Sequence, residues 1–293
     1  MATVFYDKAA VSVNLGGVGE TLLASDFSIN YSTSASPLYS IGSKGPLGQF
    51  PSSARVGDIS FNFITSITGK NNGFVGNFVN YLASGIKHSV GSQASGVTIS
   101  GAGVKGVGFL NSYSFNVASN SVSSSSASFT FFGHDDQLPV SGRLADSSES
   151  PSKNAARLAT GIAHGRYSVL PSLQTTLVGP ADAASVFGAD YSISFNHNPV
   201  YKVGQEFPVT SLYTTAQESI NVTENVFQSG LAFNEDASDY TINLSGLATP
   251  GAAAAGNTKA MEVRMVSGKQ VSTSMSAGLD DIVRSQKTLT ASY

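Results

Sequence analysis

The sequence contains no cysteine, no tryptophan and little charge. Without a thiol there is neither a disulfide framework nor a thiolate metal site, so stability must come from packing. Charged residues make up 12% of the 293 positions, about half the usual share of a soluble domain. Much of the surface must therefore be kept wet by hydroxyls and amides or be covered by neighbours. Sixteen basic and 19 acidic residues leave a net charge of −3, and no basic stripe is present. That excludes nucleic-acid binding by phosphate neutralisation, which needs clustered Lys and Arg. No apolar run reaches the roughly 18 residues that read as a membrane span. The opening Met1-Ala2-Thr3-Val4-Phe5-Tyr6-Asp7-Lys8 lacks the basic start and apolar core of a signal peptide, so a protein made and kept soluble is expected.

What the chain does have is a repeated phrase. Asp26-Phe27-Ser28-Ile29-Asn30-Tyr31, followed by Pro37-Leu38-Tyr39-Ser40-Ile41-Gly42, returns as Asp190-Tyr191-Ser192-Ile193-Ser194-Phe195, followed by Pro199-Val200-Tyr201-Lys202-Val203-Gly204. Aligned this way, the second copy lacks two residues before its proline. A duplicated strand-turn-strand opening predicts two related domains in tandem, an arrangement common in proteins that build rings and shells.

The dominant period is two. Asp58–Ile64, Ser112–Val117 and Ala127–Phe132 alternate apolar with small polar residues, as do Ser219–Thr223 and Asp239–Leu244. Glu262–Val266 and Lys287–Thr290 are further candidate strands, and Gly, Ser and Pro between them predict antiparallel sandwiches or barrels. One segment breaks the pattern: Phe74, Val75, Phe78, Val79, Leu82 and Ile86 recur at helical spacing behind a capping Asn71 or Asn72. This predicts a mainly β fold of two tandem β-sandwich or half-barrel domains, the first with one flanking α-helix over about 72–88. The expected boundaries are 1–134 for the first domain, a Ser-rich connector over 135–187, and a diverged second repeat over 188–293. The helix has no equally good match around Val226 to Ala237. The loop from Ser43 to Pro51 is expected to be longer than its counterpart after Gly204.

Candidate chemistry is thin. Gly101-Ala102-Gly103-Val104-Lys105-Gly106 fits the letter of a dinucleotide fingerprint, but the next residues, Val107–Tyr113, look like turn and strand. The fingerprint needs a helix at that point. A glycine-rich hairpin turn is the competing reading. Gly133-His134-Asp135-Asp136 has no partner histidine at helical or hairpin spacing, and reads as a solvated turn. His88 and His164 are isolated, and His197 reads as a loop position free to vary. The carboxylate pairs Asp135-Asp136, Glu235-Asp236 and Asp280-Asp281 lie in polar stretches that would not raise a pKa. No catalytic, cofactor-binding or metal site is expected, and no enzyme.

The repeated phrase, together with Ala54-Arg55-Val56-Gly57-Asp58-Ile59-Ser60-Phe61-Asn62-Phe63 and Gly108-Phe109-Leu110-Asn111-Ser112-Tyr113-Ser114-Phe115-Asn116, resembles tail tube proteins and related ring-forming virion proteins of tailed bacteriophages. The close, Ala127-Ser128-Phe129-Thr130-Phe131-Phe132-Gly133, does so too. The likeness covers Thr21 to Gly133 well and Gly188 to Tyr293 less well. It implies a β-sandwich or half-barrel whose inner sheets join side by side around a lumen. It also implies a homo-oligomer, a ring of three or six chains stacked into a tube through which viral DNA passes without sequence-specific binding. Sheath, tape measure, baseplate and neck proteins would be its partners, the virion its place, and the host cytoplasm its site of assembly. A baseplate, neck or capsid-decoration protein is the alternative, and a carbohydrate-binding β-module a third class. Lectin sites often use tryptophan, which is absent, although the 11 tyrosines offer a substitute.

Core or interface positions are expected at Phe27, Tyr31, Tyr39 and Ile41 and at their counterparts Tyr191, Phe195, Tyr201 and Val203. Arg55 and Asp58 are candidate partners across a subunit boundary, with an ordinary surface pair as the alternative. The Ser-rich stretch Val117–Phe132 carries no charge, so it reads as an undefended edge, with Ser126 and Ser128 as the positions where a charge would impair assembly.

Overall fold

The computed structural model describes residues 11–15, 18–22, 24–32, 34–51, 56–64, 96–101, 104–118, 124–132, 144–146, 173–174, 186–204, 207–225, 238–245, 259–277 and 283–293. These residues are β-strands and their turns, with every strand pairing antiparallel and no helix among them. The helix expected over about 72–88 lies outside the described residues, as do Arg55, the Gly133–Asp136 cluster, His88, His164, the segment from Val226 to Ala237 and the other carboxylate pairs.

The framework is one sheet made of two units with the same strand order. In the first, β3 (Ala24–Ser32) pairs β6 (Val56–Ile64), β6 pairs β9 (Ser124–Phe131), and β9 pairs β8 (Val104–Ala118). In the second, β12 (Val186–Val200) pairs β13 (Thr210–Asn225), β13 pairs β16 (Arg284–Ser292), and β16 pairs β15 (Lys259–Ser276). Each unit thus runs first, second, fourth, third strand in chain order. The small hairpin of β4 (Ala35–Leu38) and β5 (Gly48–Pro51) corresponds to the outer ends of β12 and β13.

The first half of β8 belongs to a different neighbourhood. It pairs β7 (Val97–Gly101), which pairs β1 (Val11–Leu15), which pairs β2 (Val18–Leu22), and its other side takes β10 (Leu144–Asp146). Gly108 is the last residue of β8 opposite β7 and Phe109 the first opposite β9. A Cβ at Gly108 would lie 2.6 Å from Cζ of the fully buried Phe131, so only glycine lets that ring cover the changeover. The second unit repeats the device: β14 (Ser238–Ser245) pairs β15 as far as Gly268, and β16 takes over from Lys269. The outermost strand, β11 (Leu173–Gln174), pairs β14. Gly101↔Val104 closes the β7–β8 hairpin, and a strand follows it. The residues from Val104 on are strand where the fingerprint needs a helix, so the dinucleotide reading falls.

Alternation sends one face of the central strands, β6, β9, β8, β12, β13 and β16, into a common core. Ile59, Phe61 and Phe63, Leu110, Tyr113 and Phe115, and Phe129 and Phe131 are buried in the first unit. Tyr191, Ile193 and Phe195, Tyr213, Ile220 and Val222, and Leu289 are buried in the second. Val11, Val13, Val97 and Ile99 join the same cluster from the β1–β7 side. Aromatic rings run through it, Phe27 on Phe61 at 6.4 Å and Phe61 on Phe129 at 5.9 Å.

Three expectations need correction. Strand β9, with Ser126 and Ser128, is an interior strand paired on both sides. Its lack of charge reflects two hydrogen-bonded neighbours, and Ser126 Oγ lies 2.7 Å from Ser114 Oγ within the chain. The two hairpin loops are equal in length: Leu47 N–H donates to Leu38 O at 2.7 Å, and Val209 N–H donates to Val200 O at 2.8 Å. Gly42 (φ 91°) and Gly204 (φ 82°) hold the same left-handed turn position. Finally, the strands are equivalent two residues away from the sequence alignment. Asp26 follows a bulge and faces Asn62; the residue of β12 that follows a bulge and faces the matching Thr223 is Gly188, not Asp190. The second copy therefore lacks nothing before its proline. A slip of two keeps every side chain on its own face, so the alternation survived it.

Candidate assembly interface

The two units meet edge to edge. Strand β8 pairs β12 from Gly188↔Ala118 through Tyr191↔Phe115 and Ile193↔Tyr113 to Ser194↔Ser112, making one continuous sheet, β3-β6-β9-β8-β12-β13-β16-β15. On its core side Phe115 stacks on Tyr191 at 5.4 Å. On its other side Asn116 Nδ2 donates to Asp190 Oδ1, and Ser114 faces Ser192. The joint is thus apolar beneath and hydrogen-bonded above, as a ladder inside a single sheet would be.

His197 locks the end of this joint. It sits in β12 beyond the last ladder pair, half-buried between Tyr213 and Phe109 at ring distances of 4.8 and 5.9 Å. Its Nε2 lies 2.6 Å from Leu110 O, which can only accept, so the proton is on Nε2. The expectation of a freely variable loop position is overturned, because this side chain ties the second unit to the first. Burial lowers its pKa from the ordinary 6.5, against the opposing pull of the Leu110 carbonyl. The unfolded chain therefore takes up a proton more readily, and stability present above pH 6.5 falls as pH drops below it. His197→Phe keeps a ring but leaves Leu110 O without its donor. It is expected to cost about 1–3 kcal/mol near neutrality and to flatten the pH dependence between neutral and mildly acidic conditions, measured by urea unfolding.

A second polar cluster lies in the core. Glu218, 2% exposed, accepts from the Tyr293 hydroxyl at 2.8 Å, and that hydroxyl accepts from Val266 N–H at 3.1 Å. Tyr293 also exchanges both backbone hydrogen bonds with Ala216. Sequence reasoning missed both residues, yet Glu218 shares the parity of Ile220 and Val222, which placed a carboxylate on the buried face.

The outer edges of the sheet contrast with the joint. Among the described residues, β3 has one neighbouring strand, β6, and the Lys269–Ser276 half of β15 has one, β16. On these edges Ile29 is 37% exposed and Met275 47%, while their ladder equivalents Tyr191 and Phe115 are 1% and 2% exposed. Val271 is exposed as well.

The remaining expected residues divide plainly. Tyr191 and Phe195 are core, and Phe27 packs partly buried against it. Tyr31 is partly exposed with its ring over Gly57. Tyr39, Ile41, Tyr201 and Val203 stand exposed on the two equivalent hairpin tips, Ile41 and Val203 completely. Asp58 accepts from Thr130 Oγ1 of its own chain at 2.8 Å, and its expected partner Arg55 lies outside the described residues. The face opposite the core presents Ser60, Asn62, Ser114, Ser128, Ser192, Asn221 and Thr288 with their like, and its charges include Asp26, Asp58, Asp190 and Lys269.

Among the described residues no group of three or more His, Asp or Glu side chains is placed to hold a metal, and no helix is long and apolar enough to cross a membrane. A comparison with protein-family models finds no matching family, and one with curated proteins finds no match.

Proposed function

We propose that this protein is a structural, non-enzymatic subunit that assembles into rings, and specifically a tail tube protein of a tailed bacteriophage. The observation that carries the reading is the edge-to-edge joint of two units of one strand order in a single sheet. A sheet extended this way from chain to chain closes on itself and abolishes its edges. The hydroxyl- and amide-rich face lines the lumen, where sparse charge lets DNA slide past without a phosphate grip. Side-by-side units favour three chains per six-part ring over six chains whose second copy lies outside. The exposed hairpin tips around Ile41 and Val203 supply contacts between stacked rings. Such a subunit works in the virion after assembly in the host cytoplasm, meets neck, baseplate, tape measure or sheath proteins around the tube, and needs no cofactor.

Negative-stain electron microscopy of the purified protein across a concentration series tests this. Hollow tubes with a regular axial repeat are expected. Single closed rings would move the assignment to a baseplate, neck or decoration component. Monomers at every concentration would sink the ring reading and direct attention to glycan binding.

A further inference from the structure

We infer that the Lys269–Ser276 half of β15 pairs with β3 of a second copy of this chain, in the register of the internal joint. The inference rests on the ring-forming reading, but not on the ring belonging to a phage tail. It comes from ladder equivalence alone. Strands β8 and β15 share their pairing with the following strand, including the same irregularity: Leu110/Ser112 against β9, and Gln270/Ser272 against β16. That matches Ser114 with Ser274, Phe115 with Met275 and Asn116 with Ser276. On the other side of the joint, the matched bulges set Asp190, Tyr191 and Ser192 of β12 against Ser28, Ile29 and Asn30 of β3. Moving the internal pairs Asn116↔Asp190, Phe115↔Tyr191 and Ser114↔Ser192 onto the outer edges gives Ser276↔Ser28, Met275↔Ile29 and Ser274↔Asn30 between chains.

Side-chain chemistry agrees with this register. Met275 would meet Ile29 on the core side, covering two apolar side chains that are 47% and 37% exposed in the single chain. The equivalent internal contact is the Phe115–Tyr191 stack. Ser274 would face Asn30 on the polar side, where Ser114 faces Ser192. The stretches that would pair are undefended: residues 27–32 and 270–276 carry no charge, Asp26 just before the first is engaged by Asn62 N and Nδ2 at 3.0 and 2.6 Å, and Lys269 lies before the second, outside the transferred pairs. The two edges differ in sequence and joint partner, so the contact is heterologous, and it generates a closed ring or a helix according to the rotation per chain.

The absence of native cysteine makes the register directly readable. Directly opposite residues have Cα atoms about 4.5 or 5.5 Å apart, within disulfide range. Diagonal neighbours, about 7–8 Å apart by Cβ or Cα, are not. Two double variants, Asn30→Cys with Ser274→Cys and Ile29→Cys with Met275→Cys, are compared after mild oxidation with an offset control, Asn30→Cys with Ser276→Cys. The expected result is loss of the monomer band into reducible multimers for the two in-register pairs, and not for the offset pair or the single variants. Circular dichroism and the wild-type urea midpoint establish that each variant folds. Preferential linking of the offset pair overturns the register. Assembled rings in which neither in-register pair links overturn the joint while sparing the ring reading. A folded protein that neither links nor assembles at any concentration overturns both.

Discussion

Phe129→Ala is expected to remove about 3–5 kcal/mol from the unfolding free energy, the range for truncating a buried phenylalanine. Phe129 is fully buried in β9, with a strand hydrogen-bonded on each side, and its ring stacks on Phe61 at 5.9 Å. Phe61 in turn touches Phe27 and Phe63, so the cavity would open in the middle of a row of rings that the paired backbone cannot close around. A typical domain has about 5–15 kcal/mol in total, and the loss should appear as a large fall in urea midpoint with little change in slope. Ile29→Ala on the outer edge of β3, where the side chain is 37% exposed, should cost about 1 kcal/mol or less in the monomer. Equal losses at the two sites would show that the core is not centred on this row.

The second large effect is expected in alkali. Burial pushes the Tyr113 hydroxyl up to about 12, with its Ser125 hydrogen bond pulling the other way. Burial, followed by the negative charge of Glu218, raises Tyr191 well above 10.0. Unfolded tyrosines ionise near 10.0, so the folded state holds protons that the unfolded state has lost. Stability from these groups is intact below pH 10 and drains away above it, for Tyr113 until pH has risen through about 12. For Tyr113 the separation corresponds to about 3 kcal/mol. A titration followed by tyrosinate absorbance should show a class that ionises only on unfolding, and Tyr113→Phe should raise the alkaline midpoint. Smooth ionisation of every tyrosine near pH 10 in folded protein would refute the burial on which this rests.

Strand positions were largely legible in the sequence, because alternation is a local property. Asp58–Ile64 falls within β6, Ser112–Val117 within β8, Ser219–Thr223 within β13 and Asp239–Leu244 within β14. Neighbour relations were not legible, because a serine-rich strand looks the same whether its backbone bonds meet another strand or water. That is why β9 read as an edge. The repeat itself was visible, but similarity aligned Asp26 with Asp190, while the bulges and ladders fix the equivalence two residues away. Residue type alone also concealed His197 and Glu218. Each owes its role to a partner distant in sequence, Leu110 O for one and the Tyr293 hydroxyl for the other.

The β8·β12 ladder has a further consequence because both strands belong to one molecule. Two tethered partners meet at an effective concentration of roughly millimolar order, however dilute the solution. The proposed contacts of β3 and the end of β15 with another molecule would enjoy no such tether and would obey mass action. Dilution should therefore separate chains at those edges and leave β8·β12 closed, so the smallest species to persist is a doubled sheet and not a single unit. In the proposed ring, duplication would turn half of the seams from an equilibrium between molecules into a fixed property of one.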